Sequence, residues 1–367
     1  MQSLDEKEWR EFDFAEIFDI KKGFYNKKPE DSGNGTIPFL GATDSNNGVT
    51  RFLTLDEIAN STKTGVLPNF PLDKKLFPGH AIAVTNNGSV GHAYYQATPF
   101  TCSHDINPLY LRDHEMSRDE ADFLIKAIEE QGKLFQYARK WRPIRMVKSK
   151  LMLPVTDSGE PDYAYMAEYA QQKRDTMLAK YRAYVEARIA ELGEVAEIPA
   201  LDEKEWKPIF ISSMFELVRG RENNMAMLED GDTPLISAKA NNNGLKGFVH
   251  NPKKIIAGQC ITLNNDGDGG AGLAYYQPAN MALDSHVTAL IPLIDMSAFV
   301  MLFIAKCISG LHGFFGHGLS ISNPRAKRLR IMLPVTDSGE PDYKYMEQYS
   351  KNMMLRKYRQ YLTFAQQ

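Results

Sequence analysis

The sequence predicts an α+β protein built from two tandem paralogous domains, each followed by a long helix. The first observation is a verbatim repeat, because the string from Leu153 to Tyr163 recurs at 333–343. A second repeat opens each copy, at 5–9 and again at 202–206. A repeating unit of roughly 180–200 residues exceeds the periods of about 20–50 residues found in solenoid proteins, so two separate domains are expected.

The repeats also predict the domain boundaries. The predicted ranges are 1–155 for the first domain, 156–193 for its helix, 194–201 for a linker, 202–335 for the second domain and 336–367 for its helix. Equivalent residues are 196 positions apart at Asn46 and Asn242 but 181 apart at Ala93 and Ala274. The first copy therefore carries additional residues, which we place within 54–76.

Each domain is predicted to contain mostly short strands and one clear helix. Apolar and aromatic runs at 17–20 and 214–218 precede a glycine and lead into short strands, which Asn-Asn-Gly turns separate. Ser117 and Glu120 have the spacing of a capping box ahead of a helical pattern at 121–128. The more apolar segment 297–309 is the counterpart of this helix in the second copy.

Apolar side chains at steps of three and four residues predict the two long helices. The pattern runs from Tyr163 to Leu192 and from Tyr343 to Ala365. A helix of about 30 residues is about 45 Å long, well above the average for globular proteins. Antiparallel pairing of the two helices as a coiled-coil spacer would cover their apolar stripes and hold the domains apart. In the alternative, each helix packs only on its own domain.

Composition limits the class of protein. The chain is 43% hydrophobic and 11% aromatic, which is enough to form a core in each domain. No stretch approaches the roughly 20 apolar residues of a membrane span, and the N-terminus has no apolar signal core, so a cytoplasmic protein without membrane contact is expected. Cys102, Cys260 and Cys307 lack Cys-x-x-Cys spacing, which favours buried free thiols over a disulfide framework or a zinc site.

Charge is strongly segregated along the chain although the net charge is only −3. The segment from Lys133 to Lys150 carries seven basic residues and no acidic one. The equivalent part of the second copy, 309–330, also lacks acids and carries four basic residues towards its end. Two basic segments at matching positions, each beside Asn- and Gly-rich loops, indicate contact with phosphate groups.

The order of these parts resembles the DNA-specificity (S) subunit of type I restriction-modification systems, including related type IIB-like subunits. The resemblance lies in two diverged domains with near-identical helical spacers, and in the leading runs that end in Lys-Gly at Gly23 and Arg-Gly at Gly220. It also includes the glycine loop 86–91. The second copy has Asn-Asn-Asp-Gly-Asp-Gly-Gly-Ala-Gly at 264–272 instead, so the geometry of its loop stays open.

The resemblance implies a non-catalytic subunit that reads a bipartite, asymmetric target in double-stranded DNA, with one half-site for each target-recognition domain. A rigid spacer of about 40 Å would match the roughly 34–36 Å between half-sites one turn apart. The helices would dock two copies of a DNA methyltransferase subunit, and a restriction or translocase subunit is a further possible partner. S-adenosylmethionine, ATP and Mg would belong to those partners, so no cofactor, metal or catalytic residue is expected in this chain.

Arginine and lysine bond phosphates or guanine, and asparagine can bond adenine, so the candidate DNA contacts lie in the basic segments and the Asn-rich loops. The candidates are Lys22, Asn86, Asn87, Ser89, Arg139, Lys140, Arg142, Arg145, Lys148, Arg219, Asn241, Asn242, Asn243, Lys246, Asn264, Asn265, Arg325, Lys327 and Arg328. The candidate partner-binding residues are Tyr163, Met166, Met177, Tyr181, Tyr343, Met346, Met353 and Tyr358. Asn-Asn-Gly is also a common turn, which gives its asparagines a structural alternative.

Two other functions are consistent with parts of the sequence. A self-contained methyltransferase would use Asn107-Pro-Leu-Tyr110 and Phe314-Phe-Gly-His-Gly318, but neither string recurs in the other copy. A scaffold or ligand-binding module unrelated to DNA would use the tyrosines at 94–95 and 275–276 to line grooves. Salt dependence separates these classes, because phosphate contacts weaken steeply as salt rises whereas an apolar groove does not.

Overall fold

A computed structural model describes residues 2–135, 139–224, 227–267, 270–316 and 318–364. The chain forms two compact units, Met1–Tyr181 and Arg182–Gln367, called unit 1 and unit 2 below. The division falls within the first long helix. Each unit has its own sheets and its own hydrophobic core, in agreement with the two domains that the repeats predict.

Unit 1 alternates short strands with a few helices. Its strands are β1 Trp9–Asp13, β2 Phe18–Ile20, β3 Ile37–Leu40, β4 Val49–Leu53, β5 Ala81–Thr85, β6 Ala93–Gln96, β7 Thr101–Cys102, β8 Ile106–Leu111 and β9 Lys150–Pro154. Its helices are α1 Phe14–Ile17, α2 Leu55–Asn60, α3 Arg118–Gly132, α4 Pro143–Met146 and the start of α5 Tyr163–Leu192.

Unit 2 repeats the same order of elements. Its strands are β10 Trp206–Phe210, β11 Phe215–Arg219, β12 Asp230–Ile236, β13 Leu245–Val249, β14 Ile255–Ile256, β15 Cys260–Asn264, β16 Ala274–Gln277, β17 Met281–Leu283, β18 Val287–Pro292 and β19 Arg330–Pro334. Its helices are α6 Ile211–Met214, α7 Ala298–Ser309, α8 Asn323–Ala326 and α9 Tyr343–Phe364.

The strands pair in the same way in both units. The four-stranded order β2-β8-β5-β6 of unit 1 returns as β11-β18-β15-β16, and the pair β1-β9 returns as β10-β19. The order β4-β3-β7 returns as β13-β12-β17 with β14 added at the edge, and β3 and β12 each run parallel to one neighbour. The duplication therefore extends from sequence to sheet topology, and the predicted α+β class is confirmed.

The predicted helices are confirmed, and the leading apolar run of each unit starts at the end of a short helix. Helix α3 begins with the full capping box of Ser117 and Glu120, and the Ser297 hydroxyl caps α7. Helix α5 has the predicted length of 30 residues, and α9 has 22. The runs 17–20 and 214–218 each begin at the last residue of a short helix, Ile17 or Met214, and continue as a strand, and the side chains of Ile17 and Met214 are buried.

The repeated string ties each long helix to the first strand of its unit. In unit 1, Asp162 accepts the Tyr165 amide at 3.0 Å, and Lys7 donates to its other oxygen at 2.7 Å. The Tyr165 hydroxyl donates to the Gln2 carbonyl at 3.1 Å. In unit 2 the same contacts form at Asp342, which accepts the Tyr345 amide at 3.0 Å and pairs with Lys204 at 2.8 Å. The residues that are identical in the two copies thus make identical contacts.

Within unit 2, the last turns of α5 and the segment after them run antiparallel to α9. The rings of Tyr184 and Tyr358 meet edge-on with centroids 6.4 Å apart. Further along the chain, Ala196 exchanges two hydrogen bonds with the side chain of Asn352, at 3.1 and 2.8 Å. Val185 and Leu355 are fully buried. Antiparallel pairing of the two helices is therefore present in this part of the chain.

The bonds of Asp162 to Lys7 and to the main-chain amide of Tyr165 are called the clamp below. The clamp makes the stability of unit 1 depend on pH. Burial acts to raise the pKa of Asp162, but the hydrogen bonds from Lys7 and the Tyr165 amide outweigh it and hold the pKa below its ordinary value. A carboxylate whose pKa is lower in the folded protein than in the unfolded chain stabilises the fold. This stabilisation is complete at pH values above the unfolded pKa, which is about 3.9 for aspartate. This contribution is lost as the pH falls through the folded pKa.

We predict that Asp162→Ala lowers the free energy of unfolding of unit 1 by about 1–2 kcal/mol at neutral pH, because α5 loses its N-cap and Lys7 loses its partner. The difference from wild type should shrink below about pH 4. Urea unfolding in a W206F background measures it, since Trp9 and Trp141 then report unit 1 alone. The control is Asp157→Ala, an exposed position in the same string. Equal losses in both variants would contradict the clamp.

Candidate nucleic-acid interface

Three separate segments meet at one edge of the main sheet in unit 1. Strands β5 and β8 are antiparallel neighbours, so the end of β5 lies beside the start of β8. The Asn86 amide donates to the Asp105 carbonyl at 2.8 Å, and the Trp141 amide donates to the Asn86 carbonyl at 3.1 Å. The loop after β5, the turn before β8 and the basic segment are therefore held together by one residue.

This meeting of three segments is called the junction below. Unit 2 forms the same junction. The Asn265 amide donates to the His286 carbonyl at 2.8 Å, and the Ile321 amide donates to the Asn265 carbonyl at 2.6 Å. Ile321 stands where unit 1 has Trp141, and both side chains are fully buried. The junction is thus a shared property of the two folds, although the loops that leave it differ in sequence.

A buried tryptophan positions the basic segment of unit 1. The Trp141 ring stacks on Phe135 with centroids 5.0 Å apart and meets Phe14 edge-on at 5.3 Å. Its indole nitrogen donates to the Ser149 hydroxyl at 2.8 Å. Because this side chain is held in the core, the charged residues on either side of it face outwards.

The basic side chains around this anchor are exposed and lack acidic partners. Arg139, Arg142, Arg145 and Lys148 are exposed, and none of them forms an ion pair with an acidic residue in the described parts of the chain. Lys150, by contrast, pairs with Asp13 at 2.7 Å. Arg145 and Arg325 each donate to the carbonyl five residues earlier, which fixes equivalent arginines in both units.

In unit 2 the same edge forms an open cleft with a volume of about 680 Å³. The cleft is lined by the loop after β12, by Asp266 and Gly267 after β15, by Asp284 and His286 before β18, and by Gly316, Gly318 and Ser320, and Lys246 of β13 also faces it. Lys239 lies there too, and its ammonium donates to the Leu245 carbonyl at 3.2 Å. The cleft therefore combines the cations of Lys239 and Lys246 with the carboxylates of Asp266 and Asp284.

Three of the predicted DNA contacts are buried, which corrects the sequence-based expectation for them. Asn86 donates to the Asn107 side chain at 2.7 Å and to the His104 carbonyl at 3.2 Å. Asn264 donates to the Lys239 carbonyl at 3.0 Å. Asn265 is 2% exposed. The side chains of Asn86 and Asn264 hold their loops from inside, whereas the buried side-chain amide of Asn265 has no hydrogen-bond partner among the described residues.

The Asn-Asn-Gly strings form turns, as their structural alternative predicts. Asn242 and Asn243 have left-handed φ angles of 50° and 53°, and the equivalent Asn46 and Asn47 have 53° and 52°. The side-chain amide of Asn243 donates to the Tyr276 carbonyl at 2.9 Å. Asn241 and Asn242 are exposed, so they remain available at the edge of the turn.

The other candidates lie at or beside this edge. Lys22 precedes Gly23, whose amide donates to the Ile106 carbonyl at the start of β8. Arg219 donates to the Ser285 carbonyl at 2.8 Å, which places it at the equivalent turn of unit 2. The remaining candidates are half-buried or exposed within their own unit: Asn87, Ser89 and Lys140 in unit 1, and Lys327 and Arg328 in unit 2.

A polar pair spans the junction in each unit, and of its members the sequence predicted Asn87 but not Asp105, Asp266 or His286. The side-chain amide of Asn87 donates to the Asp105 carboxylate at 2.9 Å. The equivalent pair in unit 2 is the His286 ring with the Asp266 carboxylate at 2.6 Å. In unit 1 the acidic member of the pair, Asp105, precedes β8, whereas in unit 2 the acidic member, Asp266, follows β15. A comparison of the two loops at their aligned positions is the signal that could have identified these residues.

The candidate partner-binding residues divide into two groups. Met166 and Met346 are fully buried in the cores of their own units, and Tyr163 and Tyr343 are half-buried beside them, which corrects the expectation for all four. Met177 is 70% exposed on α5, and Met353 is 37% exposed on α9. Tyr181 is exposed and Tyr358 packs on Tyr184. The sequence period alone did not separate core positions from exposed ones.

The alternative functions receive no geometric support from the residues concerned. Asn107 is buried in β8 and donates to the Lys21 carbonyl at 2.7 Å, so it supports the sheet. Phe314 is 72% exposed, and His317 lies outside the described residues. Tyr94, Tyr95, Tyr275 and Tyr276 are strand residues of β6 and β16, and their hydroxyl groups bond within their own unit.

The described residues hold no candidate metal site, membrane span or reactive thiol. In the described ranges, no group of three or more His, Cys, Asp or Glu side chains is arranged to hold a metal ion. None of the described helices combines the length and the apolar character needed to cross a bilayer. Burial raises the pKa of Cys260 to about 12 and that of Cys307 to about 11, so these free thiols are protonated at neutral pH.

We predict that Gly132→Ala loosens the junction of unit 1. Gly132 ends α3 against Gly91, and an added Cβ would lie 2.7 Å from the Gly91 Cα, so backbone must move. Limited trypsin digestion should then cut several-fold faster after Arg139, Lys140, Arg145 and Lys148.

The control for this variant is Gly247→Ala, because a Cβ added at Gly247 meets no atom within 4 Å. Cleavage in the basic segment should be unchanged in the control. An unchanged digestion pattern in Gly132→Ala would show that the contact between the two glycines does not position the basic segment.

Comparison with known proteins agrees with the duplicated architecture. The family model described as "Type I restriction modification DNA specificity domain" matches the chain twice, at residues 6–178 and 203–361. The "Type II restriction enzyme BgcI specificity subunit S.BcgI" of Heyndrickxia coagulans is 30% identical over 180 residues, which cover 49% of this chain and 48% of that protein. The match thus spans about half the length of this curated relative.

Solved structures are also similar over nearly the whole chain. The type I restriction-modification S subunit from M. genitalium is 16% identical, with a TM-score of 0.48, over 99% of this chain and 92% of that one. The HsdS subunit from Thermoanaerobacter tengcongensis is 12% identical, with a TM-score of 0.30, over 97% and 90% of the two chains.

Proposed function

The chain belongs to the type I restriction modification DNA specificity family, and we propose that it reads a bipartite, asymmetric sequence in double-stranded DNA for a methyltransferase complex. Specificity subunits of this family are non-catalytic. The chemistry, the S-adenosylmethionine and any ATP or Mg would therefore belong to partner subunits. The observation that carries the proposal is the twofold family match, which coincides with one basic junction in each unit.

The physical support comes from unneutralised charge at the junctions. Phosphate contacts from arginine and lysine supply most of the affinity of a DNA-binding protein and fix its register. Arg142 and Lys148 in unit 1, and Lys327 and Arg328 in unit 2, are exposed beside the polar loops. In this proposal they hold the backbone while the loops approach the base edges.

The differences between the two loops support two different half-sites. Unit 1 presents Asn87 with Asp105, and unit 2 presents Asp266 with His286, at matching positions. Because amide, carboxylate and imidazole groups offer different donors and acceptors, they favour different base edges in the major groove. Two unlike junctions on one chain would then read an asymmetric target.

The exposed part of the long helices supports docking of partner subunits. Met177 and Leu178 are 70% and 48% exposed on α5, and Met353 is 37% exposed on α9. Exposed apolar side chains on a long helix suit contact with another protein. The two helices follow identical strings, so each could present a similar surface to one methyltransferase subunit. A restriction or translocase subunit would be a further partner.

We predict that the chain binds duplex DNA with a steep salt dependence. Fluorescence anisotropy with a labelled 40-base-pair duplex of randomised sequence, between 50 and 200 mM salt, gives the slope of log affinity against log salt. The double variants R142Q/K148Q and K327Q/R328Q should each reduce that slope by about 2, because each lost phosphate contact contributes about 0.9.

The matched control for both is K173Q/K180Q on α5, which should leave the slope unchanged. Binding that does not depend on salt would reject DNA recognition and favour the scaffold or ligand-binding alternative. Equal slopes in all three variants and wild type would show that other residues contact the phosphates.

We predict that Met177→Glu and Met353→Glu weaken binding to a methyltransferase subunit from the same source by at least tenfold, because a charge is placed in an apolar contact. Pull-down with the purified methyltransferase subunit measures this binding. Thr176→Glu, at the neighbouring exposed position, is the control. DNA binding by the isolated chain should be the same in all three variants, and equal binding to the partner would exclude this face.

The same complex provides a readout of the bipartite target. With S-adenosylmethionine, mapping of methylated bases should give a two-part asymmetric motif only when this chain is present. Exchange of residues 1–155 for another first domain should change one half of the motif. A change in both halves, or a continuous motif, would contradict the assignment of one half-site to each domain.

A further inference from the structure

Unit 1 contains a segment that unit 2 lacks. The last residues of β4 and β13, Leu53 and Val249, are equivalent strand ends. The next matching contacts are the bridge from Phe77 to Phe100 and the pair Ile256 with Met281. The residues between these points are far more numerous in unit 1, and they form α2 and the loop that follows it. This segment, 54–76, is called the insertion below, and it agrees with the position predicted from the repeat offsets.

A buried lysine fixes the shape of the insertion. Lys75 is 0% exposed, and its ammonium donates to the carbonyls of Ile58, Ala59 and Ser61 at 3.0, 2.8 and 2.7 Å. It also donates to the Asn69 side chain at 2.5 Å. These carbonyls lie at the C-terminal end of α2, where the helix dipole favours a cation. The ammonium thus holds the loop against the helix without any acidic partner among the described residues.

Three lysines, Lys27, Lys28 and Lys63, belong to the insertion or to the segment that bonds it. The amides of Asn26 and Lys27 both donate to the Lys63 carbonyl, at 2.9 and 3.2 Å, so the segment 26–28 lies beside the insertion. Lys27, Lys28 and Lys63 form no ion pair with an acidic residue in the described part of the chain. The nearby Asp31 pairs with Arg51 at 3.1 Å. Burial and the charge of Arg51 lower the pKa of Lys28, and the charge of Asp31 offsets part of this effect.

Exposed apolar side chains stand next to these lysines. Val66 and Leu67 at the tip of the insertion are 68% and 83% exposed. Phe70 meets Phe24 edge-on at 5.5 Å, and the Lys63 ammonium lies 5.8 Å from the centre of the same Phe24 ring. Cations that flank an exposed apolar tip are the combination used by proteins that hold phosphates and press apolar side chains into a DNA groove.

The insertion is continuous with the junction of unit 1. The Tyr25 hydroxyl bonds the Ser61 hydroxyl at 2.5 Å, and the His104 amide donates to the Tyr25 carbonyl at 2.8 Å. His104 precedes Asp105, which holds Asn87. A chain of direct contacts thus leads from the insertion to the loop after β5. This continuity favours DNA over a separate protein partner.

We propose that the insertion is an additional DNA-contacting surface, in which Lys27, Lys28 and Lys63 hold phosphates and the Val66–Leu67 tip contacts a groove. The proposal rests on DNA recognition by the junctions and adds that the first domain covers more DNA than the second. The two domains would then differ in the length of DNA they contact as well as in the bases they read.

The first test is the salt slope of binding to the labelled 40-base-pair duplex of randomised sequence. The variant K27Q/K28Q/K63Q should reduce the slope by about 2–3, since each lost phosphate contact contributes about 0.9. The control K173Q/K180Q/K357Q removes the same charge from the long helices and should leave the slope unchanged. An unchanged slope in K27Q/K28Q/K63Q, with a slope that still falls in R142Q/K148Q, would overturn this inference while leaving the proposed function in place.

Two further measurements separate direct contact from a structural effect. In the wild-type chain, bound duplex should protect Lys27, Lys28 and Lys63 several-fold from amine-reactive labelling, read by mass spectrometry, and should not protect Lys173. The variant V66S/L67S should lower affinity several-fold without changing the salt slope. Full labelling of the three lysines in the presence of DNA, or protection of them only by a methyltransferase subunit, would reject DNA as the occupant.

Discussion

The backbone of one asparagine in each unit, Asn86 or Asn265, is the constraint on which the candidate interface depends. Its amide fixes the turn before the neighbouring strand, and its carbonyl fixes the start of the basic segment. The three segments are far apart in sequence, so only this junction makes their polar groups neighbours. Because the bonds use main-chain atoms, side chains around the junction can change without loss of the arrangement. This allows one fold to carry two different recognition surfaces.

The duplicated chain separates residues that maintain the fold from those that vary. The verbatim strings form the same clamp twice, with Lys7 on Asp162 and Lys204 on Asp342, and they cap the two long helices in the same way. The loops beside the junctions carry different polar pairs, and only the first unit carries the insertion. Shared geometry with unlike surface chemistry is what a reader of two unlike half-sites requires. The same pattern is consistent with two similar surfaces for partner subunits.

Electrostatics distinguishes the surfaces further. The chain as a whole is slightly acidic, yet the segments 139–148 and 325–328 carry basic side chains that form no ion pair with an acid among the described residues. On the helices and near the clamps, lysines and arginines are paired with carboxylates, for example Arg174 with Asp122 and Lys351 with Glu347. An ion pair at the protein surface adds little to the free energy of folding. An unpaired cluster remains free to exchange its counterions for phosphates.

The sequence by itself determined the two domains, the α+β class, the capped helix at Ser117, its counterpart at 297–309 and the place of the insertion, because repeats and local hydrogen-bonding patterns depend on residues close together in the chain. It also located the basic segments. Only the tertiary structure decided which polar residues face outwards, since burial depends on contacts between distant segments. Asn86, Asn264 and Asn265 are of a residue type that can read bases, but they are buried at the strand ends. Met166 and Met346 follow the helical period, yet they belong to the cores. The pairs Asn87–Asp105 and Asp266–His286 exist only because antiparallel strands bring two loops to the same sheet edge.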